Sequence, residues 1–221
     1  MPRTPKLEPE GPSPGADSPE FVADDYALPT TERDFSVLRV IGEENLTGFT
    51  FDGLKRRLGA HSETLSRTLS RLESDGIIEK GEYGYRVTSK GREHVAVRPL
   101  STPEERLTLL RTLLPEDNSA SDVIRSLKGR WFGNLRWLGY SEGLDGVSLK
   151  WVTEDGGIQV EARFLSDELL VEGKLHDGKN LTDAIRASHQ LMGFIARASA
   201  KTTSFRKMAL MRIQYSYPFP N

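Results

Sequence analysis

Apolar residues recur at helical spacing in segment 62–75, and polar residues occupy the opposite side. Leu65, Leu69 and Leu72 fall at positions i, i+4 and i+7 and form one apolar stripe. The opposite face carries Glu63, Ser66, Arg67, Ser70 and Arg71. The pattern predicts a helix that Gly76 ends, with a polar, short-chained and basic outer face.

A second helix and a hairpin are predicted around this segment. Residues 51–58 form a short basic helix, and Gly59-Ala60 makes a tight turn before the next helix. Apolar and polar residues then alternate in two strands, residues 77–80 and 85–88, which the turn 81–84 connects. The predicted order is therefore helix, glycine-containing turn, helix and hairpin.

An earlier helix completes a base of three helices. Thr30 or Thr31 provides an N-cap, and Phe35, Leu38 and Ile41 form the core stripe.

This order of elements places one exposed helix in the major groove of DNA. Arginine bonds guanine bidentately, glutamate accepts from cytosine, and short hydroxyl side chains allow a helix to lie deep in the groove. The alternative is the charged outer face of an ordinary surface helix, which leaves the turn and the hairpin unexplained. The predicted DNA-contacting residues are Lys55, Arg56, Ser62, Glu63, Thr64, Ser66, Arg67, Ser70, Arg71, Lys80, Tyr83 and Arg86.

Three features carry a resemblance to a known family: the leucine-rich helix, the passage Leu72-Glu73-Ser74-Asp75-Gly76-Ile77-Ile78, and the exit Val87-Thr88-Ser89-Lys90-Gly91. With these features, residues 54–95 resemble the winged-helix transcription regulators of the MarR and ArsR type, particularly archaeal-looking ones. The resemblance implies a winged helix-turn-helix fold and DNA binding. It says little about the DNA target or an effector.

The segment 99–120 is predicted to be a linker followed by a leucine-rich helix. Thr102-Pro103 has the signature of a helix start. The helix, residues 104–114, presents a wide leucine stripe that needs a partner, either the rest of this chain or the same helix in a second subunit. We favour the second subunit as the partner, while a sheet edge near Ile213 is the competing dimer interface.

The pattern from residue 121 onward predicts an α+β domain. Helical spacing is followed by Ile124, Leu127, Trp131, Leu135 and Leu138. Alternation predicts strands at 147–151, 158–164 and 169–175, the first two joined by Asp155-Gly156-Gly157. A helix capped by Asn180 with Asp183 and a final strand, residues 207–215, complete an α-β-β-β-α-β order with an antiparallel sheet.

The strand at 158–164 has the clearest alternation in the chain. Its apolar positions alternate with Gln159, Glu161 and Arg163. This predicts a half-buried strand.

The aromatic residues of this region allow two interpretations. The cluster consists of Trp131, Phe132, Trp137, Tyr140 and Trp151. Such residues can line a pocket for a small effector, or they can form the core between helix and sheet. We favour the core because Trp131 and Trp151 both fall on core-facing positions.

Charge is distributed unevenly along the chain, whose net charge is −2. Residues 1–31 hold two basic and six acidic groups, giving −4, whereas residues 51–98 hold ten basic and seven acidic groups, giving +3. The first segment is an acidic, proline-rich tail that cannot bury enough apolar surface to fold. We therefore predict a disordered tail (1–30), a DNA-binding domain (31–98), the linker and helix (99–120) and a dimerisation or sensor domain (121–221).

The residues that could support catalysis do not form a recognisable constellation. The chain has no cysteine, and its four histidines, His61, His94, His176 and His189, lie in different predicted elements. We predict no enzymatic activity, no metal site and no cofactor. Without a membrane span or a signal peptide, we expect a cytoplasmic protein.

Two functions follow from this reading. The favoured one is a homodimeric transcription regulator that binds specific sequences of double-stranded DNA. The alternative is a winged domain that serves as a protein-interaction module in a larger complex.

Overall fold

The computed structural model describes residues 31–96, 106–113, 120–166, 168–176 and 178–214. The helices of this part are α1 (Glu32–Glu43), α2 (Phe51–Leu58), α3 (Ser62–Ser74), α4 (Ser89–Ala96), α5 (Ala120–Leu127) and α6 (Leu181–Gln214). Its strands are β1 (Gly48–Phe49), β2 (Ile78–Gly81), β3 (Gly84–Val87), β4 (Leu107–Leu113), β5 (Leu135–Gly143), β6 (Gly146–Thr153), β7 (Ile158–Phe164) and β8 (Glu168–Leu175). The fold of these residues is mixed α+β. The predicted tail at 1–30 lies outside them.

One antiparallel sheet runs through this part of the chain in the order β2-β3-β1-β5-β6-β7-β8-β4. The two-residue strand β1 joins its halves, because Phe49 pairs with Tyr85 of β3 on one side and with Gly139 of β5 on the other. The approach is close: a Cβ atom at Gly139 would lie 2.2 Å from the carbonyl oxygen of Gly48. The hairpin β2–β3 and the later strands therefore form one continuous sheet.

The helices α1–α3 form where their local signals predict them, but Phe35, predicted on the core stripe of α1, is 45% exposed. The α1 helix begins with a capping box, in which the Asp34 N–H donates to Thr31 Oγ1 (3.3 Å) and the Thr31 N–H donates to Asp34 Oδ2 (2.9 Å). Gly59 ends α2 in the left-handed conformation, and Gly76 after α3 has φ 70°. The predicted stripe of α3 is buried: Leu65, Leu69 and Leu72.

The main apolar core lies between the strands β5–β8 and the helices α5 and α6. Trp137 contacts Trp151 edge to face at 5.4 Å, and Phe132 packs 5.5 Å from the same Trp151 ring. All three are buried, so the core interpretation of the aromatic cluster is confirmed for them. Tyr140 is half-buried. Our assignment of Trp131 to the core is wrong, because its side chain is 58% exposed.

The predicted helix at 104–114 is wrong, because residues 107–113 form the edge strand β4, paired with β8. Leu109 is an extra residue at a register shift between Thr108 and Leu110, which places neighbouring leucines on half-buried positions. A strand with such a bulge has the leucine spacing of a helix. The linker residues 99–105 lie outside the described residues.

The C-terminal elements follow the order β-α-β-β-β-β-α instead of α-β-β-β-α-β. The α5 helix ends at Leu127, and Leu135 and Leu138 belong to β5, which bulges between Trp137 and Gly139. The final strand predicted at 207–215 is wrong as far as residue 214, because these residues continue α6. Residue 215 lies outside the described part.

The other predicted C-terminal elements form at the predicted positions. The strands β6, β7 and β8 occupy the predicted segments, and Gly156 turns between β6 and β7 with φ 76°. The α6 helix begins at Leu181, where the Asp183 N–H donates to Asn180 Oδ1 at 3.0 Å.

Candidate nucleic-acid interface

The outer face of α3 is exposed and consists of polar side chains. Leu65, Thr68, Leu69 and Leu72 turn inward. His61 precedes the helix without a side-chain hydrogen bond to it, so the first N–H groups of α3 have no side-chain cap. The exposed side chains are Ser62, Glu63, Ser66, Arg67, Ser70, Arg71 and Ser74, and Thr64 is half-buried.

The two arginines of this face have different intramolecular partners. Arg67 forms an ion pair with Glu63 one turn earlier (Nη2–Oε1, 2.5 Å), and both side chains are about three-quarters exposed. Arg71 instead donates to the buried Asp34 carboxylate of α1 (2.6 Å) and also to Thr31. Burial raises the pKa of Asp34, but the bonds from Arg71 and Thr31 outweigh it and lower that pKa. Arg71 therefore connects α3 to the start of α1. The described partner of Arg67 is the exposed Glu63, and such a surface ion pair contributes little to stability.

The basic end of α2 is divided between the surface and the interior. Lys55 is half-buried, and Arg56 Nη1 donates to the carbonyl oxygen of Asp52 at 3.0 Å. Arg57 turns inward, where Nη2 lies 3.6 Å from Glu44 Oε1. Lys55 and Arg56, two of the predicted DNA contacts, thus lie on the same helix as Arg57, which pairs with the buried Glu44.

The hairpin β2–β3 carries the other three predicted contacts. Lys80 Nζ donates to the Tyr85 hydroxyl at 2.8 Å, and Arg86 is exposed. Tyr83 at the tip is half-buried, and a Cβ atom at Gly129 would lie 3.1 Å from its ring. The tip of the hairpin therefore lies against the loop that follows α5.

A buried charged cluster connects the helices α1 and α2 to the later strands, and its centre is Glu44, the C-cap residue of α1. The Glu44 side chain is fully buried. Lys174 Nζ and Gln159 Nε2 each donate to its carboxylate at 2.6 Å, and Lys150 Nζ lies 3.5 Å away. Arg57 of α2 completes the set at 3.6 Å.

The cluster continues along the same face of the sheet. Lys150 also pairs with Glu161 at 2.9 Å, and Arg106 pairs with Glu161 at 2.6 Å. Burial raises the pKa of Glu44, but Lys150 and Lys174 outweigh it and bring that pKa to about 2. The carboxylate is therefore charged at neutral pH, and the pairing holds α1 and α2 on the sheet.

Sequence reasoning missed this cluster, and the prediction that the strand 158–164 is half-buried is wrong. Gln159 and Glu161 of β7 are buried, as is Lys150 of β6. Helices α1 and α2 cover this face, while α5 and α6 cover the other. The available signal was the opposite charge of polar positions on neighbouring strands, here Lys150 opposite Glu161.

A cleft of about 440 Å³ lies where the β6–β7 turn meets the start of α6. Its charged groups are paired, because Lys179 bonds Asp155, Arg186 bonds Asp183, and Glu154 pairs with Arg136 beside the cleft. This cleft is not the effector pocket that was the alternative interpretation of the aromatic cluster, since Trp137 and Trp151 belong to the core. In the described ranges, no group of three or more His, Asp or Glu side chains is arranged to hold a metal ion.

Comparison with known protein families, with curated proteins and with solved structures finds no match to this chain. Over the part of the chain that the structure describes, no helix has the length and apolar character needed to cross a membrane.

Proposed function

We propose that this chain is a winged helix-turn-helix regulator that binds double-stranded DNA with α3 in the major groove. In this proposal α1–α3 form the three-helix base, and the hairpin β2–β3, here called the wing, contacts the DNA backbone. The observation that carries the proposal is the outer face of α3, which exposes hydroxyl groups and Arg67 beside a wing bearing Lys80 and Arg86.

The composition of this face favours nucleic acid over a protein partner. Protein interfaces are enriched at their centres in aromatic and other large apolar anchors. The outward side chains of α3 are serines, a glutamate and arginines, without an apolar group. Short hydroxyl side chains allow close approach to base edges, and Arg67 reaches a guanine once it leaves Glu63.

Replacing Arg67 with alanine tests the base contact. We expect site-specific binding to weaken by about 1–3 kcal/mol, because a bidentate arginine–guanine contact is lost. Affinity is measured by fluorescence anisotropy on a DNA site selected from random sequence. Thermal unfolding is measured in parallel and should be unchanged, because the side chain is largely exposed.

Arg125 provides a matched control for Arg67. It is 77% exposed on α5 and pairs with Asp122 one turn earlier at 3.5 Å. Arg125→Ala should leave DNA affinity within error. Equal DNA affinity of Arg67→Ala and wild type would contradict the proposal that α3 is the helix that contacts the bases. Arg71→Ala is unsuitable for this test, because it also breaks the bond to Asp34.

We further propose that the regulator is a homodimer that pairs two copies of β4 across a twofold axis. A single wing and helix offer few phosphate contacts, and a dimer doubles them on a palindromic site. Among the described strands, β4 pairs only with β8, so its outer edge presents unpaired backbone groups. It exposes Arg111, Thr112 and Leu113 and contains no proline.

Leu113→Glu tests this interface. Leu113 is 74% exposed, so the substitution leaves the core intact, but it places a charge on the strand edge that the second copy must pair with. We expect the dimer dissociation constant in sedimentation velocity to rise at least roughly tenfold. Leu144→Glu, at a fully exposed leucine of the β5–β6 turn, is the control. An unchanged dimer would place the interface elsewhere, and a monomeric wild type on DNA would contradict dimerisation.

A further inference from the structure

We propose that the loop at residues 128–134, here called the aromatic loop, is a second DNA-binding surface that contacts the sugar–phosphate backbone beside the wing. This inference rests on the proposed function of α3 and extends the interface into the C-terminal half of the chain. Its central residue is Trp131, which is 58% exposed. The two other tryptophans, Trp137 and Trp151, are buried.

The aromatic loop is held rigidly on both sides of Trp131. The indole N–H of Trp151 donates to the carbonyl oxygen of Arg130 at 2.8 Å. On the other side Phe132 is buried, and it exchanges two backbone hydrogen bonds with Leu135 at 3.0 and 2.8 Å. Trp131 is therefore presented to solvent by an ordered backbone, which lowers the entropy lost when a partner binds.

The aromatic loop lies next to the wing. Gly129 lies against the Tyr83 ring at the wing tip. Lys128 Nζ lies 4.0 Å from the ring centroid of Tyr140. Gly48 of β1 pairs with Tyr140 of β5 on one side and with the wing residue Arg86 of β3 on the other. Tyr140 and Arg86 therefore lie in the same row across the sheet. A DNA duplex that touches the wing therefore reaches the aromatic loop without a rearrangement of the fold.

Two exposed arginines of this surface suit a phosphate backbone, whereas Lys128 is paired with Glu142 at 2.9 Å. Arg130 and the wing residue Arg86 are exposed, and within the described residues neither forms an ion pair. Arg136 lies over the Trp131 ring, with 4.9 Å between Cζ and the centroid, and it donates to the Gly133 carbonyl oxygen at 2.7 Å and to Glu154 at 3.0 Å. Arg136 thus orients Trp131, while Arg130 is available to a phosphate. The indole ring packs against the apolar side of the sugar.

Two duplexes test the proposal: the selected site alone, and the same site with about one helical turn (roughly 10 base pairs) added on each side. The wild type should bind the longer duplex more tightly. Arg130→Ala and Trp131→Ala should each remove that advantage and leave binding to the short duplex unchanged. For Arg130→Ala, the dependence of log affinity on log salt should fall by about one unit on the longer duplex alone.

Tryptophan fluorescence gives an independent readout. The chain has three tryptophans, and only Trp131 is exposed, so acrylamide quenching reports mainly on Trp131. Adding the longer duplex should protect the fluorescence from acrylamide, and the short duplex should not. Trp131→Ala provides the baseline. Leu144→Ala, at a fully exposed leucine of the β5–β6 turn, should behave as wild type.

The possible results separate this proposal from the proposed function. Site-specific binding that depends on Arg67, without a length effect and without protection of Trp131, overturns the aromatic-loop contact alone. Failure of the wild type to bind either duplex overturns the DNA-binding proposal and this inference with it. A length effect that Arg130→Ala and Trp131→Ala both abolish supports the aromatic loop.

Discussion

Replacing Glu44 with glutamine will lower the free energy of unfolding by about 3–5 kcal/mol, the cost of leaving buried charges without their partner. The carboxylate accepts a hydrogen bond from Lys174 and lies 3.5 Å from Lys150, so the glutamine leaves two buried ammonium groups without their shared anion. Urea unfolding at neutral pH measures the change. Glu43→Gln is the matched control, because the ion-pair partner of Glu43 among the described residues is Arg39, one turn earlier at 3.8 Å. Its expected cost is below about 1 kcal/mol.

The same carboxylate predicts how stability depends on pH. The pKa of Glu44 is about 2 in the folded protein, below the unfolded value near 4.5. A group with a lowered pKa stabilises the fold fully above its unfolded pKa, and this contribution disappears as the pH falls towards the folded pKa. The stability difference between wild type and Glu44→Gln should therefore shrink between about pH 5 and pH 2. A difference that stays constant over this range would show that Glu44 does not titrate as the buried partner of these lysines.

Gly139→Ala is expected to destabilise the fold by about 3 kcal/mol, the upper part of the range for overpacking. Its Cβ atom would lie 2.2 Å from the Gly48 carbonyl oxygen and 2.9 Å from Phe49 Cα. Both are backbone atoms, so relief requires β1 and β5 to separate where the two halves of the sheet join. Denaturant unfolding measures the loss, and hydrogen exchange at Thr47 and Thr50, whose N–H groups donate to Tyr140 and Leu138 of β5, shows whether the joint opens.

Gly143→Ala is the control for this substitution. Gly143 lies at the end of the same strand, and a Cβ atom there meets nothing within 4 Å. Its stability should stay within about 0.5 kcal/mol of wild type. Equal effects of the two substitutions would mean that the close approach of β1 to β5 does not limit the fold.

The elements around α3 were predictable because their signals are local. The capping box of Thr31 and Asp34 and the glycine at position 59 act within a few residues of chain. The leucine stripe of α3 is likewise visible from helical spacing alone, whichever surface it packs against. The strand β1 was missed because two residues carry no periodicity, although they join the sheet.

The C-terminal order was predicted less well because bulges disturb the spacing of apolar residues. Leu109 in β4 is an extra residue, and β5 shifts register between Trp137 and Gly139. Each bulge inserts one extra residue into a strand. The spacing between apolar residues on one face is then longer than two and approaches the spacing in a helix. Sequence pattern alone cannot separate such a strand from a short amphipathic helix.

The sequence predicted some features of the candidate interface and missed others. The sequence identified the polar face of α3 and the cations of the wing, because helical and strand periodicity decide which side chains share a face. It did not show that Arg71 is bonded to Asp34, since these residues lie 37 positions apart. It also did not show that Trp131 is exposed beside the wing.

Caps, turns and the alternation of neighbouring residues were enough to predict the helices α1–α3, the hairpin and the strands β6–β8. The group that covers each polar face depends instead on how distant segments pack. The alternation in β7 shows that Gln159 and Glu161 lie on the same side of the sheet. The same alternation is expected whether water or a charged partner lies over that side. Here the cover is Glu44, which pairs with Lys150 and Lys174 of the sheet, and this buried pairing requires that segments distant in sequence meet.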